Sequence, residues 1–270
     1  MRVSGPSRHT LYRALVLRAR REGFAAIFGY PLTLTGLLML AMGFAAFRPD
    51  LANVPTLPPG GVLGLQVTDL RLAFGLLAAP AVLVVGTAIG AGRSVQSLIG
   101  AGATSGEFET WLGSGLTLRD VVAAVLGLVA TALLAIWTVT GALVVAGLLA
   151  VRAALEPTAH LPALYWVLLL AVPLLLGLSG TSLAVALAFA RPQLLHPAER
   201  GMVHGTGNVV GSAAVLPGLA VMVLLLLGAS HGMSAAALIA VSAVLAAILF
   251  AAGLVIAVRG TSPEGFVSSL

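Results

Sequence analysis

The sequence predicts an all-α polytopic membrane protein with six transmembrane helices, and three observations support this. Hydrophobic residues make up 59% of the 270 residues and charged residues only 9%, against roughly a quarter charged in a soluble globular domain. Mean hydropathy is +1.09. Six apolar runs each approach or exceed the ~20 residues that carry a helix across a bilayer: Gly23–Phe47, Leu72–Gly92, Val121–Val151, Pro162–Ala190, Val209–Leu227 and Ser234–Val258. The third and fourth are longer than needed, so they are expected to tilt or to project beyond the lipid.

Residues 1–22 precede the first run and are expected on the cytoplasmic side. Within them, residues 9–22 form an amphipathic helix candidate. Leu11, Tyr12, Leu15, Val16 and Ala19 cover one arc, with Arg13, Arg18, Arg20 and Arg21 mostly opposite. Such a helix is expected to lie along the inner headgroups before the chain turns into the first span. The run that follows is too long for a secretory h-region, so a retained signal anchor is expected over a cleaved leader.

Arginine placement orients the whole. With the N-terminus inside, Arg2, Arg8, Arg13, Arg18, Arg20, Arg21, Arg93, Arg119, Arg191, Arg200 and Arg259 all lie on the inner face, leaving Arg48, Arg71 and Arg152 outside. The positive-inside rule then places both termini, including the tail 259–270, in the cytoplasm of a cell with this chain in its plasma (inner) membrane. The pI near 11.0 follows from that topology. The basic residues sit at helix ends without interleaved aromatics, so no nucleic-acid partner is expected.

Cysteine is absent, which excludes disulfides and thiolate metal sites. Lysine is absent too, and a phosphate-binding loop needs a lysine to reach the terminal phosphates. The runs hold no clear buried acid or histidine, the groups that mark proton relays in membranes. Energised work by this chain therefore requires another polypeptide. Glycines recur every seven residues in the first run, at Gly29, Gly36 and Gly43, and the fifth span has Gly207, Gly211 and Gly218. Small-residue stripes let helix backbones approach closely in lipid, so these six are candidate subunit-interface positions. Pro31, Pro80, Pro173 and Pro217 fall within apolar runs, where neighbouring helices can satisfy the carbonyls they free.

The loop between the second and third spans carries a short acidic and aromatic helix. Thr104 and Glu107 have capping-box spacing, and Glu107 and Glu109 suit the positive end of a helix dipole. Phe108, Trp111 and Leu112 fall at i, i+3 and i+4 on one apolar face, flanked by Thr110. Gly113 can end the helix in a left-handed conformation, and Thr117 and Asp120 repeat the capping spacing at the start of the third span. Two turns are marginal alone. The apolar face therefore needs a partner surface: the membrane, the chain itself or a second subunit.

On these residues the chain resembles the permease subunits of ABC-2 type, or type V, ABC exporters. That family carries an acidic Gly-Thr-Leu-Glu-x-Leu-Leu-x-x-Pro-like pattern between spans 2 and 3. Here Phe108-Glu109-Thr110-Trp111-Leu112 stands at its Leu-Glu-x-Leu-Leu part and Thr117-Leu118-Arg119-Asp120 at the polar step into span 3. Glu107 replaces the usual threonine, Gly115 stands where proline is common, and the lysine often found early in span 3 is absent. Gly228–Met233 leaves little room for the outer hairpin of many members. The resemblance implies a coupling helix, Glu107 to Leu112, seated on a cytoplasmic ABC ATPase that holds the ATP and magnesium. This chain itself would bind no cofactor. It also implies a second six-span subunit, identical or homologous, with spans 1 and 5 of opposite subunits meeting. The expected cargo is hydrophobic or amphiphilic: a drug, a lipid or a peptide.

Two other readings compete. Gly177-Leu178-Ser179-Gly180 matches the Gly-x-Ser-Gly of rhomboid intramembrane proteases, in the fourth span as in that family. A serine nucleophile needs a base, yet residues 234–258 hold no histidine and His231 lies just outside them. A non-transporting structural or assembly protein is the other reading. His196, Glu199 and His204 suggest a metal site, but their spacings of three and five do not share one helix face. Trp137, Thr138 and Thr140 could line a path or simply pack.

Overall fold

The computed structural model describes residues 8–48, 63, 65, 67, 69–100, 106–191, 209–230 and 233–260. All regular elements among them are helices: α1 (Arg8–Ala46), α2 (Leu70–Val95, continued by a π turn over Gln96–Gly100), α3 (Glu107–Gly113), α4 (Leu118–Leu155), α5 (Ala163–Ala190), α6 (Val209–Ser230) and α7 (Ala235–Gly260). Five of them, α2 and α4 to α7, are long and apolar enough to cross a membrane. Their bounds fall within a few residues of the apolar runs, because apolar length alone sets a span.

α1 departs from expectation. A headgroup helix followed by a turn into the first span is replaced by one continuous helix of 39 residues, about 58 Å long at 1.5 Å per residue. Its apolar stretch, Pro31–Phe44, is shorter than the other five. The predicted arc exists, but it covers protein. Leu11 and Leu15 are buried in the same core as Val121, Val125 and Phe108, with Tyr12 and Val16 packed on it. The Tyr12 hydroxyl hydrogen-bonds the Thr131 hydroxyl of α4 at 3.0 Å. An arc already satisfied by α4 has no need of the lipid surface, and Gly23 is accommodated within the continuous helix.

The core has two halves stacked along the bundle. One gathers the ends of the helices beside α3, with Val95, Ile99, Phe108, Val121, Val129, Ala188, Phe189 and Val210 buried. The other gathers the opposite ends, with Met42, Leu72, Leu76, Val144, Leu148, Tyr165, Val221 and Leu238. Leu63, Leu65 and Val67 cover this second half. Side chains on α7, α6 and the outer half of α1 present large apolar groups outward, among them Leu37, Phe44, Leu216, Leu226, Val244, Ile248 and Leu254. In a membrane that surface is solvated by acyl chains.

Backbones approach closely where side chains are small, as lipid-embedded packing requires. A Cβ added at Gly218 would sit 2.6 Å from the Ala88 Cβ, and one at Gly92 2.8 Å from Val215 Cγ2 and 3.2 Å from the Gly211 carbonyl, so α6 lies directly on α2. At Gly180 the Ala214 carbonyl oxygen would be 2.7 Å away, which brings α6 onto α5. Gly253 faces the backbone of Leu183 at 3.2 Å, seating α7 on α5. Gly218→Leu should therefore lower stability by about 1–3 kcal/mol through overpacking, read as a lower Tm in detergent. Gly36→Leu should leave that Tm unchanged, since no neighbouring atom among the described residues lies within 4 Å of the added carbon.

α2 starts on a defined cap. Asp69 accepts the Arg71 backbone N–H at 2.8 Å and pairs with the Arg71 guanidinium at 3.1 and 2.7 Å. The Arg71 hydrogen bond holds the Asp69 carboxyl below its ordinary value against the opposing effect of burial. A lowered folded value means the stabilisation is present above the unfolded pKa and is lost as pH falls through the folded one. Asp69→Asn keeps a capping oxygen but loses the ion pair with Arg71, so it should cost less than about 1 kcal/mol at neutral pH. The Tm difference from wild type should shrink as pH falls below the ordinary carboxylate range.

Candidate functional site: the α3 platform

α3 is held between two glycines that only glycine suits. Gly106, its N-cap, has φ +69°, a conformation that other residues enter at a cost. Gly115 has φ +91° and closes the far end. There the Gly115 N–H bonds the Leu112 carbonyl at 3.1 Å and the Leu116 N–H bonds Trp111 at 3.4 Å, the pairing of a Schellman motif with Leu116 packed inward. Two expectations are corrected. The helix starts at Glu107 behind Gly106, so Glu107 stands in the first position and not three residues after a Thr104 cap. Thr104 itself lies outside the described residues. Gly113 is the last helical residue, and the left-handed stop falls at Gly115. The step into α4 is as expected: Thr117 and Asp120 form a reciprocal capping box.

The apolar face finds its partner within the chain. Phe108 is 1% exposed, its ring edge-on to Phe189 of α5 at 5.4 Å between centroids and to Trp111 at 5.5 Å. Trp111 and Leu112 pack against the same core. Of the six predicted coupling residues, these three therefore anchor the helix. Glu109 and Thr110 are exposed and Glu107 half-exposed, and exposed Gly113, Ser114, Gly115 and Thr117 continue the surface toward Arg119. The result is a short polar platform fastened by aromatic rings to the end of α5. Sequence reasoning missed Phe189; the only signal was an aromatic residue at the end of an apolar run.

The predicted interface glycines divide. Among the described residues, no neighbouring atom lies within 4 Å of a Cβ added at Gly29, Gly36 or Gly43. Gly36 and Gly43 line an open apolar groove of about 590 Å³ with Leu40, Phe44 and Arg48. Gly211 and Gly218 face inward instead: Gly211 packs against the Gln96 side chain and Gly218 against α2. That contact fills the face expected to meet another subunit. Gly207 lies outside the described residues, as do His196, Glu199, His204 and His231.

Ser179 is buried, and its hydroxyl donates to the Leu176 carbonyl at 3.0 Å in its own helix. The described part of α7 holds no histidine to act as a base. Thr138 and Thr140 likewise bond carbonyls one turn back, at 2.8 and 2.7 Å. The Trp137 indole donates to the Leu170 carbonyl of α5 at 3.0 Å, a structural bond between helices.

No family model, no curated protein and no solved structure matches the chain.

Phe108→Ala should release α3 from α5 at a cost of about 3 kcal/mol or more, the usual range for a buried phenylalanine. Hydrogen exchange across residues 107–113 should quicken while α4 stays protected. Glu109→Ala, an exposed change, should leave both stability and exchange near wild type.

Proposed function

We propose that this chain is the membrane-spanning permease subunit of an ATP-driven exporter of the ABC-2, or type V, kind. Its energy would come from a separate cytoplasmic ATPase that binds ATP and magnesium. The observation that carries this reading is the α3 platform. A short helix is clamped to the membrane bundle by its apolar face and turns Glu109 and Thr110 outward at one end. A helix so held transmits force in both directions, as an element between a soluble motor and a membrane bundle must. The missing lysine supports the division of labour, because a phosphate-binding loop requires one.

α1 counts as the first of six crossings in this reading, since its residues enter both halves of the core. The arginine distribution supports a cytoplasmic α3 end with both termini on the same side. The open stripe Gly29, Gly36 and Gly43 is the surface we assign to a second six-span subunit. Cargo would be hydrophobic or amphiphilic. Among the described residues the central turns of α2 and α4 to α7 carry no charge, and most intramembrane hydroxyls bond their own helices. Export is favoured because the resemblance is to exporters.

The test is purification of the tagged chain from native membranes. An ABC-type ATPase should be retained and identified by mass spectrometry, and the complex should hydrolyse ATP while the chain alone does not. Glu109→Arg should lower retention by about tenfold or more, within the range of interface hot spots, without changing Tm. Hydrolysis by the isolated chain, or full retention by Glu109→Arg, would overturn the proposal.

A further inference from the structure

α5 is not one regular helix. Its first turn, Ala163–Trp166, passes into a π turn over Val167–Ala171, where the Val172 N–H bonds the Val167 carbonyl five residues back. Pro173 follows at once and returns no N–H to the carbonyl four residues before it. Sharp bends in helices concentrate at π turns and prolines, and here the two adjoin.

Side chains from two other helices hold this stretch. Tyr165, fully buried, donates its hydroxyl to the Leu76 carbonyl of α2 at 3.0 Å. Pro80 stands four residues after Leu76 in α2, so that carbonyl has no helical donor and depends on Tyr165. The Trp137 indole N–H of α4 bonds the Leu170 carbonyl, inside the π turn, at 3.0 Å. The two bonds are not equivalent. Four residues after Leu170 stands Leu174, which has an amide to give in α-helical register, so the Leu170 carbonyl can release the indole without being orphaned. Leu76 has no such alternative.

We infer that the π turn Val167–Ala171 with Pro173 is a hinge in α5, with Tyr165 pinning the segment before it to α2 and the Trp137 indole latching the turn. Release of the latch lets the turn interconvert between π and α-helical register and swings Val172–Ala190. That segment carries Phe189 against Phe108 at its far end, so movement at the hinge reaches α3. The hinge is independent of the ATPase reading.

The chain has no cysteine, so spin labels go only where they are placed. Labels on Leu164→Cys and Arg191→Cys, both exposed in wild type, bracket the hinge in the full chain in lipid nanodiscs. Trp137→Phe keeps a ring and removes the donor. It should broaden the distance distribution and speed hydrogen exchange over residues 168–175 by about threefold or more, the scale of one interhelical hydrogen bond in a membrane protein. Exchange in α2 and in the rest of α4 should stay at wild-type rates. Pro173→Ala restores an amide and should act oppositely, narrowing the distribution and slowing exchange. Unchanged distances and exchange in both variants would overturn the hinge. So would exchange that rises equally along α2, α4 and α5, because that is loosening of the bundle and not bending at one turn.

Discussion

The bilayer offers no water, so every main-chain carbonyl that loses its helical donor must find another within the protein. At two helix breaks of this chain a side chain from a neighbouring helix donates to the main chain. Pro80 interrupts α2 and exposes the Leu76 carbonyl, and Tyr165 of α5 fills it. The π turn of α5 presents the Leu170 carbonyl, and Trp137 of α4 takes it. Two irregularities that would weaken isolated helices thus fasten α2, α4 and α5 into one unit. Without Tyr165, burial of the Leu76 carbonyl would cost free energy on the order of 1–3 kcal/mol.

The remaining helices join that unit by shape. α6 lies on α2 and α5 where Gly92, Gly180 and Gly218 leave room for backbone, and α7 joins α5 at Gly253. Apolar burial supplies little drive here, since lipid is as apolar as leucine. Close approach instead gains dispersion contacts that side chains would block. At the α3 end the logic changes, because water is available. There a phenylalanine cluster and two capping devices hold a polar platform, and hydrophobic burial again contributes stability.

How far the sequence revealed this differs by element. The five long apolar helices, α2 and α4 to α7, were legible to within a few residues, because apolar length is a one-dimensional property. The capping box at Thr117 and Asp120 was legible for the same local reason. The course of α1 was not: an amphipathic arc states that something apolar covers it and leaves open whether that is lipid or α4. The ends of α3 were misread by a few residues because Gly106 and Gly115, two left-handed glycines, compete with the Thr104 and Gly113 signals that spacing favours. Neither Tyr165 nor Phe189 announced its partner. A proline tells which carbonyl is freed, but only the three-dimensional arrangement tells which donor arrives.

The glycine stripes show why the same signal leads to different structures. Gly211 and Gly218 lie on α6, a helix apolar on all sides, so either face could have turned inward; the face with glycines is the one that lets α6 reach α2. On α1 the inward positions are already held by Thr35 against Gly86 and by Pro31 beside Gly90, and Met39 fills the space at Gly147. There the small partner residues sit on the neighbouring helices and the large ones on α1. With that arrangement set, Gly29, Gly36 and Gly43 are left on the outside by geometry. A stripe of glycine thus specifies closeness without specifying to what, and the partner is decided by where the complementary bulk resides.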